Sequence, residues 1–182
     1  MEMSFADPLY NAASIGVRPG DVIADFGAGS GHYTLQFGSL LAGSGVVYAI
    51  DVQHDLLLCV QNEAVRHGLL NILTVHGDIE RLGGTRLPDA HVDLALISNT
   101  LFQLARPEQA LAEARRILKP RASLAIIDWS DSFGGLGPAR EHVVPKELAL
   151  DLAFRGGFDL VSEFPAGAHH YGLVFAAPQG RA

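Results

Sequence analysis

Short, nearly continuous apolar runs alternate along this chain with segments whose apolar residues recur at helical spacing, the pattern of a layered α/β domain. The runs at 22–26, 46–50, 72–75, 92–97 and 124–127 are rich in valine, isoleucine and leucine. Strands covered on both faces need that composition, so the runs predict five parallel strands. One intervening helix is expected to begin near Asp55 and to stop at Gly68, where glycine takes the left-handed conformation that ends a helix. A second carries Pro107 in its first turn, sets Ala110, Leu111, Ala114, Ile117 and Leu118 on one face, and stops before Pro120. A third is predicted to start at Pro145, bury Leu148, Ala149, Leu152 and Ala153, and end at Gly156 and Gly157. The strands that follow, 158–164 and 171–176, are separated by a six-residue link that opens with Pro165, Ala166 and Gly167, too short for a crossover, and must pair antiparallel. The whole reads as a mostly parallel, doubly wound sheet with helices on both faces, closed by a reversed strand near the C-terminus.

At 182 residues the chain has the length of a single domain able to bury a core without disulfides. Thirteen Lys and Arg against twenty Asp and Glu leave a net charge of −7. Such a field repels phosphate backbones and anionic lipid, so nucleic acid and membrane surfaces are not expected partners. The single cysteine, Cys59, can form neither an internal disulfide nor a multi-cysteine metal site, and is expected to be a buried thiol in a reducing cytoplasm. No apolar run reaches the roughly 18 residues needed to cross a bilayer, and the first residues carry Glu2 and Asp7 where a signal peptide carries positive charge. Among eight histidines the adjacent pair His169 and His170 would point to opposite faces of a strand, so no metal is predicted.

The chemistry concentrates after the first strand, where Asp25-Phe26-Gly27-Ala28-Gly29-Ser30-Gly31 leads into a helix through Tyr33, Leu35, Phe37 and Leu40. Glycines there let the backbone turn sharply and approach a ligand, although an ordinary strand-to-helix turn has the same composition. Asp51 ends the second strand 20 residues beyond Gly31, the position from which a carboxylate accepts hydrogen bonds from ribose hydroxyls. A third strand is followed by Gly77-Asp78-Ile79, placing another carboxylate at the same sheet edge, with Ile79 able to cover an adenine face or Asp78 simply to cap a turn. The dinucleotide fingerprint wants its third glycine one place later, where this chain has His32. Asp25 also suits a cationic cofactor better than a pyrophosphate.

These residues resemble the class I, seven-stranded, Rossmann-like S-adenosylmethionine-dependent methyltransferases over nearly the whole chain. The segment 22–31 is similar to the family's first motif, Asp51 to its ribose-binding acid, 77–79 to its adenine-contacting segment, and 92–99 to its fourth-strand motif. The segment 117–124 resembles the turn into strand five, with Arg121-Ala122 where the family more often has two glycines. Within the family the chain is most similar to the ubiquinone and menaquinone biosynthesis branch. The resemblance implies one domain over 1–182 with a short N-terminal helical extension, S-adenosyl-L-methionine as cofactor and a small-molecule acceptor. It also implies cofactor contacts from Asp25, Gly27, Ala28, Gly29, Gly31, Tyr33, Asp51, Val52, Gln53, Asp78, Ile79 and Asn99. Two alternatives stay open: a NAD-dependent oxidoreductase and a noncatalytic cofactor-binding module.

Methyl transfer demands alignment of a nucleophile and exclusion of water, and an acceptor that must lose a proton needs a base. Ligands of open α/β sheets lie beyond the carboxyl ends of the parallel strands, which directs attention to Ser98, Asn99, Asp128 and Trp129. The reversed strand starts at that edge, so His169 or His170 is the candidate base, with Tyr171 or Asp128 orienting the acceptor; a polar hairpin opening would look the same. Trp129 and Phe133 are expected either to line an apolar acceptor pocket or to pack, and the glycine-rich stretch 132–140 to form a mobile cover.

Overall fold

A computed structural model describes residues 7–179. Its elements run α1 (Pro8–Ile15), β1 (Val22–Phe26), α2 (His32–Leu40), β2 (Val46–Asp51), α3 (His54–Arg66), β3 (Ile72–His76), β4 (Val92–Ser98), α4 (Pro107–Ile117), β5 (Leu118–Trp129), α5 (Lys146–Arg155), β6 (Asp159–Gly167) and β7 (His170–Ala176), with single 3-10 turns at Leu101–Gln103 and Arg140–His142. The seven strands form one sheet in the order β3-β2-β1-β4-β5-β7-β6. β1 to β5 pair in parallel, and β7 lies antiparallel to both β5 and β6. The strand order reverses beside β1, so a crevice opens past the carboxyl ends of β1 and β4, the ligand position in doubly wound sheets.

Alternating side chains of the central strands feed two layers of core. Ala24, Phe26, Ala95 and Ile97 pack toward α4 and α5 with Leu111, Ile117, Leu152 and Phe158. Ile23, Leu94, Leu96 and Ile127 pack toward α1 and α2 with Ile15, Tyr33, Phe37 and Leu41. The helix ends follow local chemistry: the Asp7 side chain accepts from the Leu9 and Tyr10 amides at 3.0 and 3.3 Å, and Pro107 opens α4. The acidic residue Glu2 lies outside the described residues.

Several expectations are corrected. β5 is longer than 124–127 because it leaves α4 directly: Val92 pairs with Leu118, and pairing resumes at Leu94 with Ser123, so 119–122 bulge outward with Arg121 in the left-handed region at φ 62°. The polar residues of that bulge hid it from the apolar pattern, and the left-handed conformation at Arg121 is one that glycine adopts without strain, which accounts for glycine being the more usual residue in the turn this segment resembles. β6 continues through Pro165 and Gly167, leaving Ala168 and His169 as the hairpin turn. An outer strand tolerates proline because its amide side need not join a ladder. β3 is the other edge rather than a doubly covered strand, with Leu73 half exposed. Leu148 is exposed, and so is Cys59, because α3 turns only Leu57, Val60 and Ala64 inward. No described helix is long and apolar enough to cross a membrane.

Candidate functional site

The turn after β1 passes through three left-handed glycines, Gly27, Gly29 and Gly31, at φ 72°, 53° and 81°. Two of them are also sterically required. A Cβ on Gly27 would sit 2.8 Å from both Oγ1 and Cγ2 of Thr100, and one on Gly31 would sit 2.8 Å from Cγ2 of Val60 on α3. Gly31 therefore serves the packing of α2 against α3, and it does not line the cleft.

The loop also shapes the adjacent acid. The Gly29 amide donates to Oδ2 of Asp51 at 2.9 Å, and the Gln53 amide donates to Oδ1 at 2.8 Å. One amide on each oxygen fixes the carboxylate plane at the mouth of β2 and leaves each oxygen a further lone pair. Asp25, at the carboxyl end of β1, is almost wholly buried and accepts from the Thr34 hydroxyl at 2.6 Å. Burial pushes its pKa up from 3.8 to about 6; the Thr34 hydrogen bond opposes the rise and the nearby charge of Asp51 adds to it. On the far wall, Asp78 accepts from the Glu80 amide at 2.9 Å, and the Gly77 amide donates to the Asp51 carbonyl at 3.0 Å.

These groups surround a cleft of about 510 Å³, the size of a cofactor site. Asp25, Gly27, Ala28, Gly29, Tyr33, Asp51, Val52, Gln53, Asp78, Ile79 and Asn99 all line it, so the structure gathers every proposed cofactor residue except Gly31. Its lining holds a buried oxygen without a hydrogen-bond partner, Asn99 Oδ1, on a residue held at φ 53°, next to Ser98, whose hydroxyl faces that of Tyr33. A wall of carboxylates and an unfilled acceptor fits a ligand that carries positive charge and many donors, as S-adenosyl-L-methionine does, and disfavours a pyrophosphate.

The four candidates for catalysis gather elsewhere along the same edge, at the end of β5 and the start of β7, and none lines this cleft. Asp128 is fully buried, accepting from the Leu101 amide at 2.9 Å and the Trp129 amide at 2.8 Å, and burial pushes it up to about 6. It thereby holds the turn that carries Thr100. Tyr171, opposite Asp128 across the strands, donates its hydroxyl to the Val144 carbonyl at 3.1 Å, and burial followed by the Asp128 and Glu147 charges raises its pKa. His170 is buried against Trp129, ring centroids 4.3 Å apart. His169 has Nδ1 2.8 Å from Asp131 and stacks on Phe133 at 4.0 Å. Trp129 itself is buried under Gly137, where any Cβ would collide with the indole.

Three participants escaped sequence reasoning. Asn11, fully buried, donates from Nδ2 to the Tyr33 hydroxyl at 2.8 Å and to the Ala166 carbonyl at 2.9 Å, tying α1 to α2 and β6. Asp131 and Thr100 owe their roles to partners distant in the chain. No local spacing announces any of them. Among the described residues no three His, Cys, Asp or Glu side chains converge as a metal cluster would.

Fold and cleft together define a Rossmann-like domain of the S-adenosylmethionine-dependent class. The family model described as a methyltransferase domain matches residues 24–126, and the chain belongs to that family. This membership sets aside the NAD-dependent oxidoreductase alternative. A curated relative, the ubiquinone/menaquinone biosynthesis C-methyltransferase UbiE of Azotobacter vinelandii, is 34% identical over 122 residues, covering 66% of this chain and 47% of its own. The chain spans about half the length of the curated relatives it matches. Among solved structures, a SAM-dependent methyltransferase from Aquifex aeolicus superposes with a TM-score of 0.87 at 27% identity, covering 95% of this chain and 90% of that one. The [4+2]-cyclase SpnF shares the fold at a TM-score of 0.80 and 16% identity, covering 95% and 80% of the two chains.

Proposed function

We propose that this protein transfers the methyl group of S-adenosyl-L-methionine to a small-molecule acceptor in the cytoplasm. One observation carries the reading: the glycine loop, the amide-clamped carboxylate of Asp51 and the buried carboxyl of Asp25 meet in a single cleft at the sheet's switch point. Relatives named as C-methyltransferases of ubiquinone and menaquinone biosynthesis support a carbon acceptor on a small molecule, and the net charge of −7 argues against a polynucleotide.

In this reading Asp51 holds the ribose hydroxyls, Asp78 and Ile79 flank the adenine, and Asp25, Ser98 and Asn99 take the cationic amino-acid end. Ala28, Tyr33, Val52 and Gln53 complete the walls, while Gly27, Gly29 and Gly31 shape the loop. When bound, S-adenosyl-L-methionine supplies a methyl group on positively charged sulfur. The chain aligns the acceptor and removes its proton. His169, with Nδ1 engaged by Asp131, is assigned as the base. Asp128 and Tyr171 support the acceptor side by fixing backbone at 101, 129 and 144, and the buried His170 and Trp129 pack beneath it.

Titration calorimetry with S-adenosylhomocysteine tests the reading. Losing a charged hydrogen-bond acceptor costs roughly 1.5 to 3 kcal/mol, so Asp51→Ala should weaken binding about 10- to 100-fold. Unchanged affinity would remove Asp51 from its role. Because the fold also serves a cyclase, methyl transfer needs its own measurement: a labelled methyl group followed onto a panel of quinols and phenols. Tight cofactor binding with no transfer across the panel would favour the noncatalytic module.

A further inference from the structure

The inward face of α4 is apolar, with Ala110, Leu111, Ala114 and Ile117 buried, except for one carboxylate, Glu113, which is fully buried. Burying a carboxylate is costly unless its oxygens are filled, and here both are. Oε2 accepts from the Gly83 amide at 2.7 Å and from Nε of Arg116 at 2.9 Å. Oε1 accepts from the Thr85 amide at 3.1 Å, the Thr85 hydroxyl at 2.5 Å and Nη2 of Arg116 at 2.7 Å. Burial alone would raise its pKa, but Arg116, Thr85 and Gly83 hold it down at about 2, so the clamp stays charged at any physiological pH.

What the clamp holds is the back of the cleft. Gly84 lies between the two clamped amides, and a Cβ on it would collide with the Asp78 carbonyl; a Cβ on Gly77 would likewise collide with the Gly84 carbonyl. The backbone at 83–85 is thus pressed against 77–78 with no side chain between them. A shift of Gly84 toward the cleft would push Gly77 and Asp78, and its withdrawal would leave them without backing; the other surfaces of both residues line the cleft.

We infer that Glu113, which lines no part of the cleft, is a positioning residue for its Gly77–Asp78 wall, acting through the amides of Gly83 and Thr85. The inference rests on the reading of this cleft as the S-adenosyl-L-methionine site. A carboxylate suits the task where an apolar side chain would not, since only directional bonds to two amides fix the height of the turn between them.

The test uses the full chain, with S-adenosylhomocysteine and adenosine as probes. At a temperature where circular dichroism shows E113Q folded, both probes should bind about tenfold or more weakly, since a charge-assisted clamp is lost. Adenosine should lose as much as the larger ligand, because the displaced wall faces the nucleoside. Hydrogen exchange of the ligand-free variant should quicken at 77–79 as well as at 83–85. T85V, which removes the hydroxyl and its bonds to Glu113, Arg116 and the Leu87 amide but keeps both clamped amides, should give a smaller loss of about threefold. A folded E113Q with unchanged affinities, or with faster exchange confined to 83–85, would overturn the inference and leave Glu113 as a staple for α4. If E113Q does not fold, T85V decides by the same two readings. Failure of the wild-type chain to bind S-adenosylhomocysteine would instead overturn the site itself.

Discussion

Replacing Asp25 with asparagine should stabilise the ligand-free protein while impairing its cofactor site. The carboxyl is 3% exposed, and its pKa stands at about 6 against an ordinary 3.8. Below pH 3.8 the group is neutral in both folded and unfolded chains and contributes no difference. Between 3.8 and 6 the unfolded chain ionises while the folded one keeps its proton, so stability declines as pH rises through that window. Above 6 the full penalty applies, about 3 kcal/mol for a separation of that size. Asparagine keeps the shape and can still accept from the Thr34 hydroxyl, so D25N should gain up to about 3 kcal/mol at pH 7.5 and about half as much at pH 5. Urea unfolding at both pH values measures the gain. Calorimetry on the same preparations should show S-adenosyl-L-methionine binding weakened by about tenfold through loss of the anion facing a cation. A variant less stable than wild type at pH 7.5, or a gain identical at the two pH values, would refute the account of Asp25 as a charge held at a cost.

Two further outcomes test the scaffold. Gly31→Ala should destabilise by roughly 1 to 3 kcal/mol, from a left-handed alanine and a clash with Val60, and V60A should restore part of the loss in a double-mutant cycle followed by urea midpoints. Asp128→Ala leaves the Leu101 and Trp129 amides without their buried acceptor, and should cost about 2 to 4 kcal/mol in the same assay. A loss of methyl transfer in D128A with no loss of stability would mark Asp128 as acting on substrate instead.

The architecture was legible because it is written locally. Apolar runs of strand length, Pro107, Gly68 and the short hairpin link each report on their own neighbourhood, and the apolar run 22–26 coincides with β1 to the residue. The cleft proposed for the cofactor was legible as a gathering of residues for the same reason: loop, Asp51 and Asp78 fall at the ends of successive strands, and parallel packing brings such ends together without further instruction. Long-range pairing was not. Nothing near residue 11 says that its amide will meet Ala166, and nothing near Glu113 says that its carboxylate will hold residues 83 and 85. The bulge at 119–122 and the extended β6 were missed because charged or proline-bearing stretches join a ladder through backbone, to which side-chain periodicity is blind.

The insertion of β7 between β5 and β6 has a consequence for how the polypeptide matures. A chain emerging from the ribosome can assemble β1 to β5 in turn, but β5 stays an open rim throughout synthesis of α5 and β6, because its neighbour on that side has yet to appear. Ile126 and Ile127 sit on that rim. A nascent chain stalled after β6 would present them as a sticky ledge, available to any other extended segment, until residues 170–176 arrive to seal the gap.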